Sequence, residues 1–268
     1  MPDDAPIARH RADRGYAVCT SGRSGSNLLC QYLSSTGKLG HPLEYFNAGA
    51  RRMFGYPDFP DDPERQIDRV LTTGATANGI FGIKVFPAQL DLVGKSIHWT
   101  RKLPNLAFVY LKRRDLLGQA ISNLRATQTN QYRSTMTPQC SASYDGHRIY
   151  EHLRDAVRDY ARWDTFFARN GIEPAMIWYE DIVADAQAAV DKVASLFGLQ
   201  GQTPIRPEKV DLKMQRDALN EEWRARFCRE FGNMDESDAP RRPAPRSGRP
   251  APRGTRRSRG RGPAGARP

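Results

Sequence analysis

The amino-acid sequence predicts a three-layer α/β/α fold, in which helices cover both faces of a central parallel sheet. Short apolar segments at residues 16–20, 79–86, 106–111 and 175–179 predict four strands. Segments with helical periodicity lie between them, and strands that alternate with helices are typical of parallel sheets. The chain has 268 residues, enough for one domain of this kind.

The helices are predicted from apolar residues that recur on one face. Residues 28–36 form a helix after the first strand, and Leu117, Ile121 and Leu124 share one face of a helix after the third. A single helix is expected from the fourth strand to about residue 196. Further helices are expected over about 147–169 and 217–231. Two long connections, 37–63 and 127–146, interrupt this pattern, and such connections usually belong to binding sites.

The net charge of +11 comes from the end of the chain. Residues 240–268 contain ten arginines and no acidic residue, whereas the rest has 31 basic and 30 acidic residues. We therefore expect no specific nucleic-acid partner for the folded body. Rich in Arg, Pro and Gly, this tail is predicted to be disordered, and residues 1–15 to be flexible, which leaves 16–239 as the domain. A solvated extension is the favoured interpretation of the tail, and a tether to polyanions or an anionic membrane is the alternative.

The cellular setting is predicted from what the sequence lacks. Residues 1–15 have no apolar core of a signal peptide, and no apolar run is long enough to span a membrane. Cys19, Cys30, Cys140 and Cys228 form no ligand-like pair, so we expect reduced thiols and no bound metal. The prediction is a cytoplasmic enzyme, able to act at the inner face of the membrane.

Residues 21–27, Ser-Gly-Arg-Ser-Gly-Ser-Asn, form a loop between the first strand and the first helix. Backbone N–H groups at such a place bind anions, and Ser24 and Ser26 add hydroxyl donors. The loop resembles a P-loop, which makes the predicted fold P-loop-like. It lacks the Gly-Lys-Ser/Thr ending that supplies the usual Mg²⁺ ligand. Taken alone, the loop fits a phosphate site and an ordinary helix cap equally well.

A second phosphate-binding element is predicted at the end of the third strand. An NTPase commonly has a metal-binding Asp in such a position, whereas this chain has Arg113. The guanidinium group matches the geometry of a phosphate, and Ser122 on the following helix can bind the same group. Two phosphate-binding elements without an evident metal site indicate a nucleotide with separated phosphates.

The order of several short motifs resembles that of the sulfotransferases, in particular the bacterial carbohydrate group of the trehalose, nodulation-factor and lipopolysaccharide type. The resemblance spans about residues 16–231. Its motifs are SGRSGS at 21–26, HPLEYF at 41–46, FGIK at 81–84, RRDLLGQAIS at 113–122, WDTFF at 163–167, QRD at 215–217 and EW at 222–223. Each motif is short, but their order and spacing support one another.

The resemblance implies a sulfuryl donor, 3′-phosphoadenosine-5′-phosphosulfate (PAPS), and residues that bind its phosphates. The donor-binding residues it implies are Arg23, Ser24, Gly25, Ser26 and Asn27 for the 5′-phosphosulfate and Arg113 and Ser122 for the 3′-phosphate. Asn27 occupies a position where the family often has Thr, and its amide can donate in place of the hydroxyl.

The catalytic residues implied by the resemblance are Glu44, Arg23 and Lys84. A neutral hydroxyl is a poor nucleophile, so a base must take its proton, and Glu44 is at the position of the family's proposed base. Arg23, Lys84 and the loop amides would neutralise the charge that builds on the bridging oxygen and the leaving phosphate. His41 is the rival base. No metal is required.

The expected partner is a carbohydrate or glycolipid acceptor, and a homodimer is included in the prediction. Two other functions stay open: an ATP- and Mg²⁺-dependent phosphotransferase, and a non-catalytic module that binds polyanions through its basic tail. The Tyr179–Glu180–Asp181 run is interpreted as structural first and as a metal site second.

Overall fold

The computed structural model describes residues 12–212 and 218–237. The chain divides into two compact units, Met1–Phe231 and Gly232–Pro268, and the fold below is that of the first unit. The predicted tail at 240–268 and the QRD motif at 215–217 lie outside the described residues.

The central sheet has four parallel strands in the order β2-β1-β3-β4: β1 (Arg14–Cys19), β2 (Ile80–Val85), β3 (Leu106–Lys112) and β4 (Ala175–Trp178). All four predicted strands are therefore present. The predicted α/β/α fold is confirmed.

The first strand begins earlier than predicted. Arg14 pairs with Ile80 and Gly15 with Phe81, so two residues that were assigned to a flexible N-terminus belong to β1. Hydrogen bonds reach further upstream, because the Ala12 N–H donates to Leu71 O at 3.1 Å. The prediction missed this because Arg14 and Gly15 do not extend the apolar pattern of the strand.

Ten α-helices and one short 3₁₀-helix occur in the described part of the chain: α1 (Ser26–Ser35), α2 (Ala48–Met53), α3 (Pro63–Thr72), α4 (Pro87–Val93), α5 (Trp99–Lys102), α6 (Leu116–Thr129), α7 (Gly146–Asn170), α8 (Tyr179–Ala184), α9 (Ala186–Ser195), the 3₁₀-helix (Pro207–Lys209) and α10 (Ala218–Phe231). Within these described residues, no helix is long and apolar enough to cross a membrane.

The single helix predicted after the fourth strand is two helices. Asp185 has an extended backbone with φ −151°, which ends α8, and its side chain accepts a hydrogen bond from the Ala188 N–H at the start of α9. An N-terminal capping aspartate inside an apolar periodic pattern explains the error.

Alternate side chains of the strands enter two separate apolar cores. Ala17 and Cys19 of β1 pack into the core that contains α3 and α7, whereas Tyr16 and Val18 pack into the core that contains α1 and α9. A third cluster joins α6, α7 and α10 through residues such as Trp223. This two-sided burial fixes the sheet between two helical layers.

The carboxyl ends of the strands meet along one edge of the sheet, because the parallel register places Cys19 of β1 beside Val85 of β2 and Tyr110 of β3. Residues that follow or end these strands are therefore neighbours although they are far apart in the sequence. Ligands of open α/β sheets bind at such an edge.

Candidate active site

The loop after β1 is held in place by buried hydrogen bonds. The Thr20 hydroxyl is bonded to Ser24 Oγ at 2.7 Å and to Leu111 O on β3 at 2.8 Å. From α7, the Trp163 Nε1–H donates to Thr20 O at 2.9 Å. The WDTFF motif thus contributes a side chain that fixes the loop.

The backbone of this loop has the shape of an anion site. Arg23 (φ 60°) and Gly25 (φ 87°) both have left-handed conformations, and they flank Ser24, which does not. Such alternation directs successive N–H groups into one concavity. A Cβ at Gly25 would lie 2.2 Å from the Tyr179 ring, so glycine is required there for space as well as for conformation. Gly25, the N-cap of α1, has no side chain that could cap the helix, so the first N–H groups of α1 can donate to a ligand.

The first of two side-chain clusters, called here the arginine cluster, contains Arg23, Arg113, Ser122 and Arg125. Arg23 Nε donates to Ser122 Oγ at 3.1 Å and its Nη1 to Tyr132 O at 2.6 Å. Arg113 Nη1 approaches Arg23 O at 3.4 Å. Burial and the positive charge of Arg113 lower the pKa of Arg23, and Arg125 lowers it further. The cluster therefore has a positive potential that an anion would relieve.

Arg113 is held by stacking and remains short of hydrogen bonds. Its guanidinium lies over the Tyr179 ring, 4.8 Å from the centroid. The nearest carboxylate, Asp115, is 3.4 Å from Nη2 and already accepts from Arg224 at 2.7 Å. Arg113 Nε is buried without a hydrogen-bond partner among the described residues. A buried donor that lacks a partner in a positive cluster is a group that an anionic ligand can satisfy.

A cavity of about 610 Å³ adjoins this cluster. Its lining combines the arginine cluster with the second long connection and the start of α10: Arg23, Ser122, Arg125, Ala126, Thr129, Gln131, Pro138, Cys140, Ser141, Ala142, Leu219 and Asn220. Its volume is within the range of small-molecule sites in proteins. A second cavity, of about 520 Å³ between α4, α5 and α7, contains none of the predicted site residues.

The second cluster, called here the base cluster, contains Glu44, Lys84 and Asn27. Lys84 Nζ is 2.9 Å from Glu44 Oε1 and donates to Asn27 Oδ1 at 2.5 Å. Lys84 is only 4% exposed, so it is a buried ammonium and not the solvated lysine that a strand end usually has. Asn27 joins this cluster to the anion-binding loop, because it lies in the first turn of α1.

Glu44 is oriented by two further side chains. Its Oε2 accepts hydrogen bonds from Asn47 Nδ2 at 3.0 Å and from Gln89 Nε2 at 3.2 Å. Burial opposes its ionisation, but the charge of Lys84 and the hydrogen bonds from Lys84 and Asn47 outweigh burial and lower the pKa of Glu44. The carboxylate is therefore ionised at neutral pH, as a proton acceptor must be.

His41, the rival base, has different electrostatic neighbours. Its backbone N–H donates to Gly74 O at 2.8 Å. Burial lowers the pKa of its imidazole, and the charge of Lys209 lowers it further. His41 contributes to none of the hydrogen bonds that orient Glu44.

The side chains of Arg23 and Ser24 make contacts other than those that their predicted roles require. Arg23 was predicted to act on the phosphosulfate, yet its side chain bonds to Ser122, in the part of the site predicted for the 3′-phosphate. The carbonyl of Tyr132 holds it there, and no sequence pattern marks a backbone carbonyl. Ser24 is completely buried against Thr20, so its hydroxyl stabilises the loop. Ser26 is buried at the first position of α1.

Several residues that shape the site were not predicted. Gln119 Nε2 donates to Gly22 O at 2.7 Å, and its Oε1 accepts from the Tyr160 hydroxyl. Glu180 accepts from the backbone N–H groups of Arg114 and Asp115, which agrees with the structural interpretation of this run. Gln119 lies within the RRDLLGQAIS motif and Glu180 within the Tyr179–Glu180–Asp181 run, but neither was predicted to make these contacts. Asn47 had a local signal: an asparagine three residues before Ala50 is typical of a helix N-cap, and its Oδ1 accepts from that N–H.

Acidic, His and Cys side chains do not gather into a metal site in the described ranges. No group of three or more that could hold an ion occurs there.

Comparisons with known proteins give a consistent result. The model of the family described as Stf0 sulphotransferase matches residues 15–230. The chain is 28% identical to trehalose 2-sulfotransferase of Mycobacterium tuberculosis (strain ATCC 35801 / TMC 107 / Erdman), over 81% of this chain and 95% of that protein. It is 26% identical to trehalose 2-sulfotransferase of Mycolicibacterium smegmatis (strain ATCC 700084 / mc(2)155), with 80% and 94% covered.

Among solved structures, the sulfotransferase domain from the curacin biosynthetic pathway is 16% identical, with a TM-score of 0.42 and 77% and 79% of the two chains covered. The prediction of a bacterial carbohydrate sulfotransferase family is confirmed by the family match and the mycobacterial relatives. The matched region includes both clusters and the loop between them, and the chain belongs to the Stf0 sulfotransferase family.

Proposed function

We propose that this protein transfers a sulfuryl group from PAPS to a hydroxyl of a carbohydrate or glycolipid. The observation that carries the proposal is the position of the anion-binding loop between the arginine cluster and the base cluster. A donor with two separated phosphates needs anion-binding groups at two places, and an acceptor hydroxyl needs a base beside the transferred group.

The residues fit such a donor. Arg113 Nε is a buried donor that has no hydrogen-bond partner among the described residues, and Arg23, whose carbonyl Arg113 approaches, is bonded to Ser122. Arg113 and Ser122 would therefore bind the 3′-phosphate. The N–H groups of the loop and of the first turn of α1, with Ser26, would bind the 5′-phosphosulfate. Arg23 would then serve the 3′-phosphate with its side chain and the 5′ end with its backbone. The donor supplies the sulfuryl group.

Lys84 and Glu44 would divide the chemistry between them. Glu44 takes the proton of the acceptor hydroxyl, and Lys84 neutralises the charge that develops on the oxygen of the leaving phosphate. An anion beside Lys84 would weaken the hold of Lys84 on Glu44. Since that charge is the main influence lowering the pKa of Glu44, the carboxylate would become a stronger base when the donor is bound.

The acceptor is proposed from the two long connections and from the relatives. The mycobacterial relatives are named for trehalose, which supports a carbohydrate. Tyr45 and Phe59 of the first connection are buried, whereas Tyr56 is 39% exposed and available to a sugar ring.

The test is to incubate the purified protein with sulfur-labelled PAPS and with sugar and glycolipid extracts, and to identify the sulfated product. We expect transfer that continues in the presence of a chelator. ATP-dependent transfer that requires Mg²⁺ would instead support a phosphotransferase. No binding of adenosine 3′,5′-bisphosphate would favour a non-catalytic module.

A further inference from the structure

Arg51 on α2 is a buried cation that forms no ion pair within residues 12–212 and 218–237. The residue is 3% exposed, and its Nε has no hydrogen-bond partner in the part of the chain that the structure describes. An arginine is rarely buried unless it is paired, because removing its charge from water is costly. Burial lowers the pKa of this guanidinium, which is the electrostatic sign of that cost.

The position of Arg51 connects it to the base cluster. Asn47, the N-cap of α2, donates to Glu44 at 3.0 Å. Arg51 is four residues further along the same helix, and residues at this spacing lie on one face. The charge of Glu44 raises the pKa of Arg51, and the charge of Arg51 lowers the pKa of Glu44. Glu44 nevertheless forms its ion pair with Lys84, at 2.9 Å. Glu44, the carboxylate that acts on Arg51 in the described structure, is thus already paired with Lys84.

A second guanidinium lies at the far end of the same helix. Phe54, the C-cap of α2, is three residues after Arg51, and Arg133 stacks over its ring at 4.1 Å from the centroid. Arg133 and Arg51 repel each other, since the charge of Arg133 lowers the pKa of Arg51. Arg133 belongs to the second long connection, directly after Tyr132, whose carbonyl holds Arg23 of the arginine cluster.

We propose that Arg51 and Arg133 bind an anionic group of the acceptor, a carboxylate or a phosphate. The inference rests on the proposed function, and it narrows the acceptor to an acidic or phosphorylated carbohydrate. Asn47, Arg51 and Phe54 form a stripe that leads from the base towards Arg133, so an acceptor along it has its hydroxyl at Glu44 and its anion at the two arginines. A guanidinium suits either group because it offers two parallel donors.

The test uses calorimetry on full-length protein saturated with adenosine 3′,5′-bisphosphate, which keeps phosphates out of the donor site. The titrants are glucose, glucuronate and glucose 6-phosphate, and the last two distinguish a carboxylate from a phosphate. We expect at least one charged sugar to bind about 10- to 100-fold more tightly than glucose, the range of a charged hydrogen bond. Equal affinity for all three sugars would overturn the proposal.

Variants locate the effect. Arg51→Gln should remove the preference for the charged sugar without changing the affinity for adenosine 3′,5′-bisphosphate, and Arg51→Lys should keep part of it. Arg52→Gln is the matched control, because Arg52 is the next residue on α2 and pairs with Asp61 at 3.0 Å. An equal loss in Arg51→Gln and Arg52→Gln would contradict the assignment.

Arg133→Gln is the second test and decides the matter if Arg51→Gln does not fold, because Arg133 is half-buried on a connection. It should reduce the preference, and an unchanged preference would overturn the proposal. These titrations involve no transfer. Preferential binding through Arg51 without transfer from PAPS would therefore refute the proposed function alone, whereas transfer without any charge preference would refute this inference alone.

Discussion

The two clusters on either side of the loop at residues 21–27 balance their charges in different ways. In the base cluster, Glu44 and Lys84 neutralise each other at 2.9 Å. In the arginine cluster, Arg23 and Arg113 repel each other, and the carboxylate nearest to Arg113 is bound more closely by Arg224. The excess positive charge of the arginine cluster favours an anionic ligand. In the base cluster, a charged ligand near Lys84 would shift the pKa of Glu44.

The comparison predicts that the largest effect on turnover comes from the base cluster. Glu44→Gln keeps the shape of the side chain and removes the proton acceptor, so kcat should fall by about 10²- to 10⁴-fold. The affinity for adenosine 3′,5′-bisphosphate should be kept. Steady-state kinetics with the identified acceptor measure kcat, and calorimetry measures the affinity for adenosine 3′,5′-bisphosphate.

Glu64→Gln is the matched control, because Glu64 also pairs with a lysine, Lys102, at 2.8 Å, but at the surface. It should have normal turnover. If Glu44→Gln keeps near-normal turnover while His41→Ala is inactive, then His41 is the base.

The arginine cluster should control the choice of nucleotide. Arg113→Ala removes the buried Nε donor, and the affinity for adenosine 3′,5′-bisphosphate should fall by about 10- to 100-fold, as for a lost charged hydrogen bond. The affinity for ADP should stay the same, because ADP has no 3′-phosphate. Arg114→Ala is the control, since Arg114 is half exposed and pairs with Asp181 at 2.8 Å. A parallel loss for both nucleotides would show that Arg113 supports the fold and not the 3′-phosphate.

The pH profile distinguishes the two candidate bases without removing either. Glu44 has a lowered pKa in the protein without donor, so the acid limb of kcat/KM for PAPS, which reports the free enzyme, should lie below the ordinary range of a glutamate. Lys84→Met removes the charge that lowers this pKa and leaves burial, which raises it. The acid limb of kcat/KM should therefore move to higher pH.

If His41 is the base, the acid limb should not move in Lys84→Met, because the charge that lowers the pKa of His41 comes from Lys209. An acid limb that stays in place in Lys84→Met would favour His41. Lys102→Met, which breaks the exposed pair with Glu64, controls for the loss of a surface charge.

The lowered pKa of Glu44 should also make the stability of the protein depend on pH. A carboxylate with a lowered folded-state pKa stabilises the protein above its unfolded pKa, and this contribution is lost as the pH falls through the folded value. The difference in unfolding free energy between the intact protein and Glu44→Gln should therefore shrink as the pH falls below the ordinary glutamate value of 4.5. Urea denaturation at several pH values measures it.

The smallest effect is expected from the tail. Truncation after residue 239 should leave donor affinity and turnover on a soluble acceptor unchanged, because the removed segment has no core-forming side chain. Any loss should appear with membrane-embedded acceptors and decrease with added salt. A large fall on the soluble acceptor would mean that the tail takes part in the site.

Whether a contact can be predicted from the sequence depends on how far apart its two residues are along the chain. The strands and the loop at residues 21–27 follow from local patterns, and Glu44 was selected as a candidate base from a family motif. The contact of Lys84 with Asn27 joins residues that are 57 positions apart, and the direction of Arg23 depends on a carbonyl 109 positions away. Such contacts are created by the parallel register of the sheet and by the long connections, which no local periodicity describes.

A missed helix shows the opposite case, in which a local signal was present. α3 begins with Asp62 as N-cap and Pro63 in its first turn, a recognised helix start at the end of the first long connection. The aromatic and proline residues of the connection indicate irregular structure, and this composition obscures the helix start at its end.

The most direct test of the two-cluster account is a crystal structure of the protein with adenosine 3′,5′-bisphosphate. The account predicts a 3′-phosphate within hydrogen-bond distance of Arg113 Nε and Ser122, and a 5′-phosphate on the backbone N–H groups of the loop, on the side of Lys84. A nucleotide whose 3′-phosphate avoids Arg113, or whose 5′-phosphate lies away from the loop, would contradict it.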